Sequence, residues 1–255
     1  MLVWLETFLY NKISVFQKMS KIFYRKDMKN NSMIASDNKG FTLVEIMIAL
    51  AISGIVLASV YTAFQSQQES YVAQDQVAEM QQNLRSAVNM MSREIRMAGC
   101  DPLSTSGADI TAASSNSLSF TMDLRGTLNT DPSNGNTTDP GENITYSLYV
   151  AGDGIQKLGR KNPNINQAVA EYIENIEFYY TLANGTQTTT PAASQLDDIR
   201  TIQISLLARA ARSDRKFTNT LTYTTASGTV WDPTPDDNFR RRLMIVQVKC
   251  RNMGL

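Results

Sequence analysis

The amino-acid sequence predicts an α+β fold, in which one long N-terminal helix packs on an antiparallel β-sheet domain. The first observation is a proline-free segment, residues 41–98, that is apolar on all sides in its first half and on one face in its second half. The second is that the chain after it alternates apolar and polar side chains in short runs separated by polar loops. Such alternation is typical of antiparallel strands with one buried face.

The first half of the predicted helix, residues 41–65, is long enough to cross a membrane. The sequence has no charged residue from Ile46 to Gln68, and about 20 apolar residues span a bilayer. Glu45 is the exception near the start of this half. An ionised carboxylate in hydrocarbon costs about 2.5–3.5 kcal/mol at a helix centre and less near an end. Because of that cost, we expect Glu45 to have a partner.

The second half of the predicted helix, residues 66–100, is amphipathic. Its apolar residues follow one another at spacings of three or four, which places them on one face. Gly99 and Pro102 supply a stop signal for the helix. The predicted apolar face consists of Val77, Met80, Leu84, Val88, Met91 and Ile95.

Residues 101–255 are predicted to form the β-rich domain. Gly152-Asp153-Gly154 and Asn184-Gly185 predict turns. The Ser-, Thr- and Ala-rich stretch 103–116 and the Gly-, Asn- and Pro-rich stretch 126–142 predict loops. Arg240-Arg241-Arg242 is interpreted as the solvated start of the last strand. The predicted strands are 118–124, 144–150, 155–158, 176–180, 202–208 and 244–250, with a threonine-rich edge strand at 217–226.

The composition argues against several classes of function. The chain has 24 Lys and Arg residues, 24 Asp and Glu residues and no histidine. It lacks the clustered basic face of a nucleic-acid-binding domain, so no nucleic acid partner is predicted. Without histidine, Ser-His-Asp triads, Cys-His dyads and histidine-ligated zinc are impossible. The acidic stretch 131–142 does not have the spacing of a calcium-binding loop. We therefore predict no enzyme activity, no catalytic residue, no metal and no cofactor.

The stretch Gly40-Phe41-Thr42-Leu43-Val44-Glu45, which follows Lys39 and opens the apolar run, resembles the class III signal of type IV prepilins and pseudopilins. The resemblance implies that a membrane-embedded prepilin peptidase cuts between Gly40 and Phe41, and that Phe41 is then N-methylated. It also implies that Glu45 meets the positively charged N-terminus of a neighbouring subunit's Phe41 in a filament. Such pairing would neutralise two charges that are each costly in lipid.

Residues 1–40 are accordingly predicted to be a leader that is removed. This leader is unusually long and begins with an apolar stretch, so the true start is predicted at Met28 as an alternative to Met1. Removal of the leader takes away seven of the 24 basic and three of the 24 acidic residues. The remaining 17 basic and 21 acidic residues give a net charge of −4.

Further runs of the sequence resemble minor pilins of the PilW type, with a type IV pilin-like fold. The chain is also longer than a typical abundant pilin and has no proline in the membrane half of its helix. The resemblance implies a minor subunit that helps to initiate pilus assembly and sits at or near the tip. Its implied partners are the prepilin peptidase, other minor and major pilins through the N-terminal helix, and the inner-membrane assembly platform. The matching runs are 81–85, 91–99, 173–180, 199–209 and 241–252.

The resemblance also implies a location: a single pass through the inner membrane with residues 101–255 in the periplasm, followed by incorporation into a surface pilus. Cys100 and Cys250, the only cysteines, are predicted to form a disulfide in this oxidising compartment, the alternative being two separate buried thiols. Two other functions remain open. One is a minor pseudopilin of type II secretion, close to the J type, and the other is a membrane-anchored periplasmic binding protein that uses a prepilin signal.

Overall fold

The computed structural model describes residues 40–126, 131–162, 165–232 and 236–254. The predicted leader and its alternative start at Met28 lie outside these residues, except for Gly40. The chain divides into two compact units, Met1–Tyr61 and Thr62–Leu255. The described part of the first unit is the apolar start of the long helix, and the second unit contains the rest of the helix and all the strands.

Helix α1 (Leu43–Met97) is continuous over 55 residues, as the absence of proline predicts. It ends where the sequence places the stop, at Gly99, whose φ of 74° lies in the left-handed region that favours glycine. A Cβ atom at Gly99 would also lie 2.9 Å from the sulfur of Met253. The end of the helix therefore packs closely against Met253, and a larger residue at position 99 would have to displace that side chain.

The predicted apolar face of the helix is the face that the domain buries. Val77 is half-buried at its start, and two further small residues, Ala87 and Ser92, complete the buried strip. The residues of this face that are buried as predicted are Met80, Leu84, Val88, Met91 and Ile95.

The first sheet has five strands in chain order, and each pair of neighbours is antiparallel. Strands β3 and β4 form the predicted hairpin, in which Gly154 donates its backbone N–H to the carbonyl of Ala151 at 2.9 Å. The strands are β1 (Ile110–Ala113), β2 (Ser117–Thr121), β3 (Asn143–Val150), β4 (Gln156–Asn162) and β5 (Ile165–Glu171).

The second sheet has four antiparallel strands in the order β11-β8-β6-β7. Its central strand β8 is buried along most of its length, and the predicted turn at Asn184-Gly185 connects β6 to β7. A short 3₁₀ helix, Ala193–Asp198, precedes β8, and two further short strands form a separate antiparallel pair. The strands of the second sheet are β6 (Ile173–Leu182), β7 (Gln187–Thr188), β8 (Ile199–Arg209) and β11 (Arg241–Lys249). The separate pair consists of β9 (Tyr223–Thr224) and β10 (Val230–Trp231).

The helix and both sheets share one core. Ile95 of α1, Tyr146 of β3 and Phe178 of β6 all belong to it and are fully buried. Burying a large apolar side chain stabilises a fold by about 1.5–3 kcal/mol. The amphipathic half of the helix is thus an integral part of the domain.

Several predictions about the strands were wrong. The predicted loop 103–116 contains β1, and β5 was not predicted at all. The predicted strand 118–124 ends at Thr121, and Leu124 is exposed. The predicted edge strand 217–226 reduces to β9, because its threonine-rich sequence offers no apolar face to bury.

Candidate functional site

The peptide bond between Gly40 and Phe41 lies just outside the helix. Residues 40–42 have no regular structure, and the first helical hydrogen bond runs from the Ile46 N–H to the Thr42 carbonyl at 3.2 Å. Gly40 has open space around the position of a Cβ atom, and Phe41 is 85% exposed. A peptidase active site needs an accessible bond outside regular structure, and this bond meets both conditions.

Glu45 and Thr42 form a reciprocal capping box at the start of α1. The Glu45 carboxylate accepts hydrogen bonds from the Thr42 N–H and hydroxyl, both at 2.8 Å, and the Thr42 hydroxyl accepts one from the Glu45 N–H at 3.2 Å. The interaction satisfies N–H groups that otherwise have no partner at a helix start. Thr42 was not among the predicted site residues, although the spacing Thr-x-x-Glu is the sequence pattern of a capping box.

Among the residues that the structure describes, the capping box gives the Glu45 carboxylate no counter-charge, because both groups donated by Thr42 are neutral. A positively charged group from another molecule can reach this carboxylate, since it is exposed. The predicted site residues Gly40, Phe41 and Glu45 thus lie together within one helical turn of the α1 N-terminus.

The surface around these residues is apolar. The described helix contains an 18-residue stretch that is apolar enough to cross a membrane, and none of that stretch is buried. Leaving so much apolar area in water is strongly unfavourable, so this stretch needs lipid or other helices around it. Its exposed large side chains are Phe41, Leu43, Val44, Ile46, Met47, Ile48, Leu50, Ile52, Ile55, Val56, Leu57, Val60, Tyr61 and Phe64.

A second group of residues fixes the amphipathic half of α1 to the first sheet. Glu94 accepts hydrogen bonds from Arg160 Nε on β4 at 3.0 and 2.9 Å, and from the Tyr146 hydroxyl on β3 at 2.5 Å. The side chains of Arg160 and Glu94 are only 10% and 21% exposed. Burial and the neighbouring carboxylate raise the pKa of Tyr146 above its ordinary value, so the phenol remains a donor. The sequence gives no sign of this three-residue contact.

The solvated interpretation of Arg240-Arg241-Arg242 was wrong for Arg241. Its side chain is 3% exposed and pairs with Glu174 on β6 and with Asp237. The Arg241 guanidinium lowers the pKa of Asp237 and keeps it ionised. Buried charges require such partners, and these partners lie 67 and 4 residues away along the chain.

The acidic residues around loop 131–142 have structural partners. Asp123 accepts hydrogen bonds from the backbone N–H groups of Asn134 and Gly135, and Glu142 accepts from those of Leu124 and Arg125. Within the described ranges, no group of three or more acidic or cysteine side chains is arranged to hold a metal ion. These carboxylates order the loop.

Cys100 and Cys250 are far apart in the sequence, but both contact the same hydrophobic core. Cys100 lies just after α1 and Cys250 just after β11, and both are present as free thiols. Nearby, the Asn252 side chain donates to the Arg96 carbonyl at 3.3 Å, so the chain end lies against the helix end. Burial raises the pKa of Cys250 to about 12, and burial with two aspartates raises that of Cys100. The predicted disulfide stays a prediction.

Two family models match the chain. Residues 35–61 match the prokaryotic N-terminal methylation motif, and residues 133–252 match the type IV pilus-assembly protein W family. The first match covers the site around Gly40, Phe41 and Glu45, and the second covers strands β3 to β11.

Several solved structures are similar to this chain, and one of them is a pilin. The type IV-like pilin TTHA1219 from Thermus thermophilus has 16% sequence identity to this chain and a TM-score of 0.44, over 68% of this chain and 97% of that one. No curated protein matches the chain.

Proposed function

We propose that this chain is a PilW-type minor pilin of a type IV pilus, which helps to initiate pilus assembly and is incorporated at or near the pilus tip. The matches of residues 35–61 and 133–252 to two pilin family models support this proposal. Residues 1–40 are removed as a leader, and residues 41–65 anchor the subunit by a single pass in the inner membrane. Residues 66–100 form the amphipathic half of the helix, and residues 101–255 form the periplasmic β-rich domain. The subunit then joins other minor and major pilins through its N-terminal helix.

One observation supports this proposal most directly. A fully exposed apolar helical stretch follows an accessible Gly40–Phe41 bond, and its only charged side chain is Glu45. A membrane anchor alone would have no use for an acid that raises the cost of insertion. An anchor that later assembles into a filament gains from it, because the carboxylate can pair with the new N-terminus of the adjacent subunit.

The processing step is tested by mass spectrometry of N-terminal peptides, taken separately from membranes and from sheared surface filaments. We expect a peptide that begins with N-methylated Phe41 in both fractions. Its presence in membranes alone would favour a pseudopilin of type II secretion. An uncleaved N-terminus would contradict the prepilin proposal and leave an ordinary membrane-anchored binding protein.

Incorporation near the tip is tested by labelling. An epitope inserted in the turn at Gly152-Asp153-Gly154, which is exposed, should be detected by immunogold at one end of each filament. Labelling along the whole filament length would contradict a tip position. Loss of filaments on deletion of the chain, with normal amounts of major pilin in the membrane, is the expected result for an initiating subunit.

The predicted Cys100–Cys250 disulfide is tested on the exported chain. Alkylation before reduction should leave both cysteines unmodified, and an unreduced tryptic digest should contain the two linked peptides. In the chain-entropy model, a bond that closes so long a loop adds about 5 kcal/mol, so reduction should lower the melting temperature of the domain. Quantitative alkylation of both thiols in the denatured, unreduced chain would show that they are separate.

A further inference from the structure

We propose that the loop of residues 211–217 and the cleft between it and α1 bind anionic phospholipid headgroups at the membrane surface. We call this loop the basic loop, because it carries Arg212, Arg215 and Lys216. The inference rests on the proposed membrane insertion of residues 41–65.

A salt bridge fixes where the basic loop meets the helix. Lys216 Nζ pairs with the Glu69 carboxylate, and Glu69 is the first charged residue of the helix after Glu45. It lies five residues after Phe64, the last large side chain of the apolar stretch, which corresponds to about 7.5 Å along a helix. Tyr71, two residues further along the helix, is 67% exposed, and tyrosine is enriched at membrane–water interfaces.

The exposed charge of the basic loop is positive. Arg212 and Arg215 are exposed and form no salt bridge with any residue that the structure describes, and the Lys216 side chain is 73% exposed. The loop's only acid, Asp214, is engaged by Arg240 at 2.8 Å, which holds its pKa below the ordinary value. The chain without its leader has a net charge of −4. The positive charge of the basic loop is therefore opposite in sign to the net charge of the processed chain.

The cleft behind the loop is lined by basic, apolar and acidic residues, and each of its two acids, Glu69 and Asp214, is paired with a base. Its volume is about 460 Å³, with Val72 and Ala73 of the helix on one side and residues 213–216 on the other. Arginine and lysine side chains bind phosphate oxygens by charge-assisted hydrogen bonds, and the apolar helix residues suit the start of the acyl chains. The loop is held in shape, since the Arg240 guanidinium lies 4.3 Å from the ring centre of Phe217.

Anionic lipid is the ligand that this position favours. Each lysine or arginine near an anionic bilayer surface strengthens binding about fivefold. Nucleic acids also carry phosphates, which have the same charge. The apolar segment of residues 41–65, however, would hold the basic loop near a membrane and not near a nucleic acid. Headgroup binding would hold the membrane-proximal side of the domain on the bilayer until the subunit enters a filament.

The test measures hydrogen exchange in the full processed chain, reconstituted in nanodiscs of phosphatidylcholine with or without phosphatidylglycerol. We expect peptides covering 211–217 to exchange at least about fivefold more slowly in the anionic nanodiscs, and high salt to remove this protection. The double variant Arg212→Glu/Arg215→Glu should lose the protection. It keeps the Lys216–Glu69 salt bridge, and an unchanged melting temperature will show that it is folded.

The matched control is Lys249→Glu/Arg251→Glu, which reverses the charge of two exposed basic residues. These residues lie beside the C-terminal end of α1, far along the helix from Glu69. It should retain full protection of 211–217. Equal exchange in the two lipid compositions would overturn the proposal, as would equal protection by glycerol phosphate or duplex DNA in detergent. Failure of the chain to stay with the nanodiscs would instead contradict membrane insertion, and the lipid contact with it.

Discussion

Replacing Glu45 by alanine or by glutamine is expected to abolish surface pili while the processed subunit still accumulates in the inner membrane. The alanine variant removes a charge whose cost in hydrocarbon is below the roughly 2.5–3.5 kcal/mol of a bilayer centre, because Glu45 lies near the end of the segment. Membrane insertion is therefore no harder than before. Assembly fails because the N-terminus of the neighbouring subunit then enters the filament without a counter-charge. The measurements are piliation by electron microscopy and the amount of subunit in membranes by immunoblotting.

The capping box gives Glu45 a second role, which two variants separate from the first. Glutamine at position 45 can still accept the hydrogen bonds of Thr42 but has no charge. Thr42→Ala keeps the charge and removes the hydroxyl of the capping box, a loss of about 1 kcal/mol in helix stability. If charge pairing drives assembly, Glu45→Gln is as defective as Glu45→Ala, and Thr42→Ala makes pili.

The opposite result would assign Glu45 a structural role. Piliation by Glu45→Gln together with a defect in Thr42→Ala would show that helix capping, and not charge, is what assembly requires. Normal piliation in both Glu45 variants would contradict both roles. Asp75→Ala, which removes an exposed acid from the same helix, is the control for nonspecific effects of lost charge.

The residues of this proposed site can be picked out from the sequence because they are local. Gly40, Phe41, Thr42 and Glu45 lie within six consecutive residues, so the chemistry and its spacing are visible without any tertiary structure. The long helix is equally visible, because its apolar face repeats at the helical period over many turns. Predictions of this kind depend only on neighbours along the chain.

The strands show where such reasoning stops. Strand β5 is largely exposed, and pairing with β4 keeps it in place more than burial does, so its sequence has no regular alternation to detect. Strand β1 has four residues and an irregular register with β2, which is too short for a pattern. In both cases the partner strand determines the structure, and a single segment does not contain that information.

Buried charges were missed for the same reason. Arg241 resembles its exposed neighbour Arg242 in sequence, and only the folded chain brings Glu174 to it. Glu94 is similar, since its partners lie 52 and 66 residues away. A charged residue is expected at the surface until its partner is known, so the sequence alone favours the wrong interpretation.

Glu94→Ala is expected to produce the largest loss of stability of any single change in the helix surface. Arg160 would remain, 10% exposed, without its carboxylate, and breaking a buried ion pair from one side costs about 3–5 kcal/mol. For a chain of this size we expect a fall in melting temperature of roughly 10 °C. The measurement is thermal unfolding of the full chain in detergent, followed by near-ultraviolet circular dichroism.

Glu79→Ala is the matched control, because Glu79 is an exposed acid on the same helix and its loss should change stability by only about 0.5 kcal/mol. The double variant Glu94→Met/Arg160→Met removes both charges and should recover most of the stability, since replacing a buried pair by apolar residues is often neutral. A Glu94→Ala variant as stable as Glu79→Ala would show that apolar packing alone holds the helix. Recovery of stability in the double variant would instead show that Glu94→Ala is destabilised by the unpaired charge of Arg160 and not by the lost volume of the Glu94 side chain.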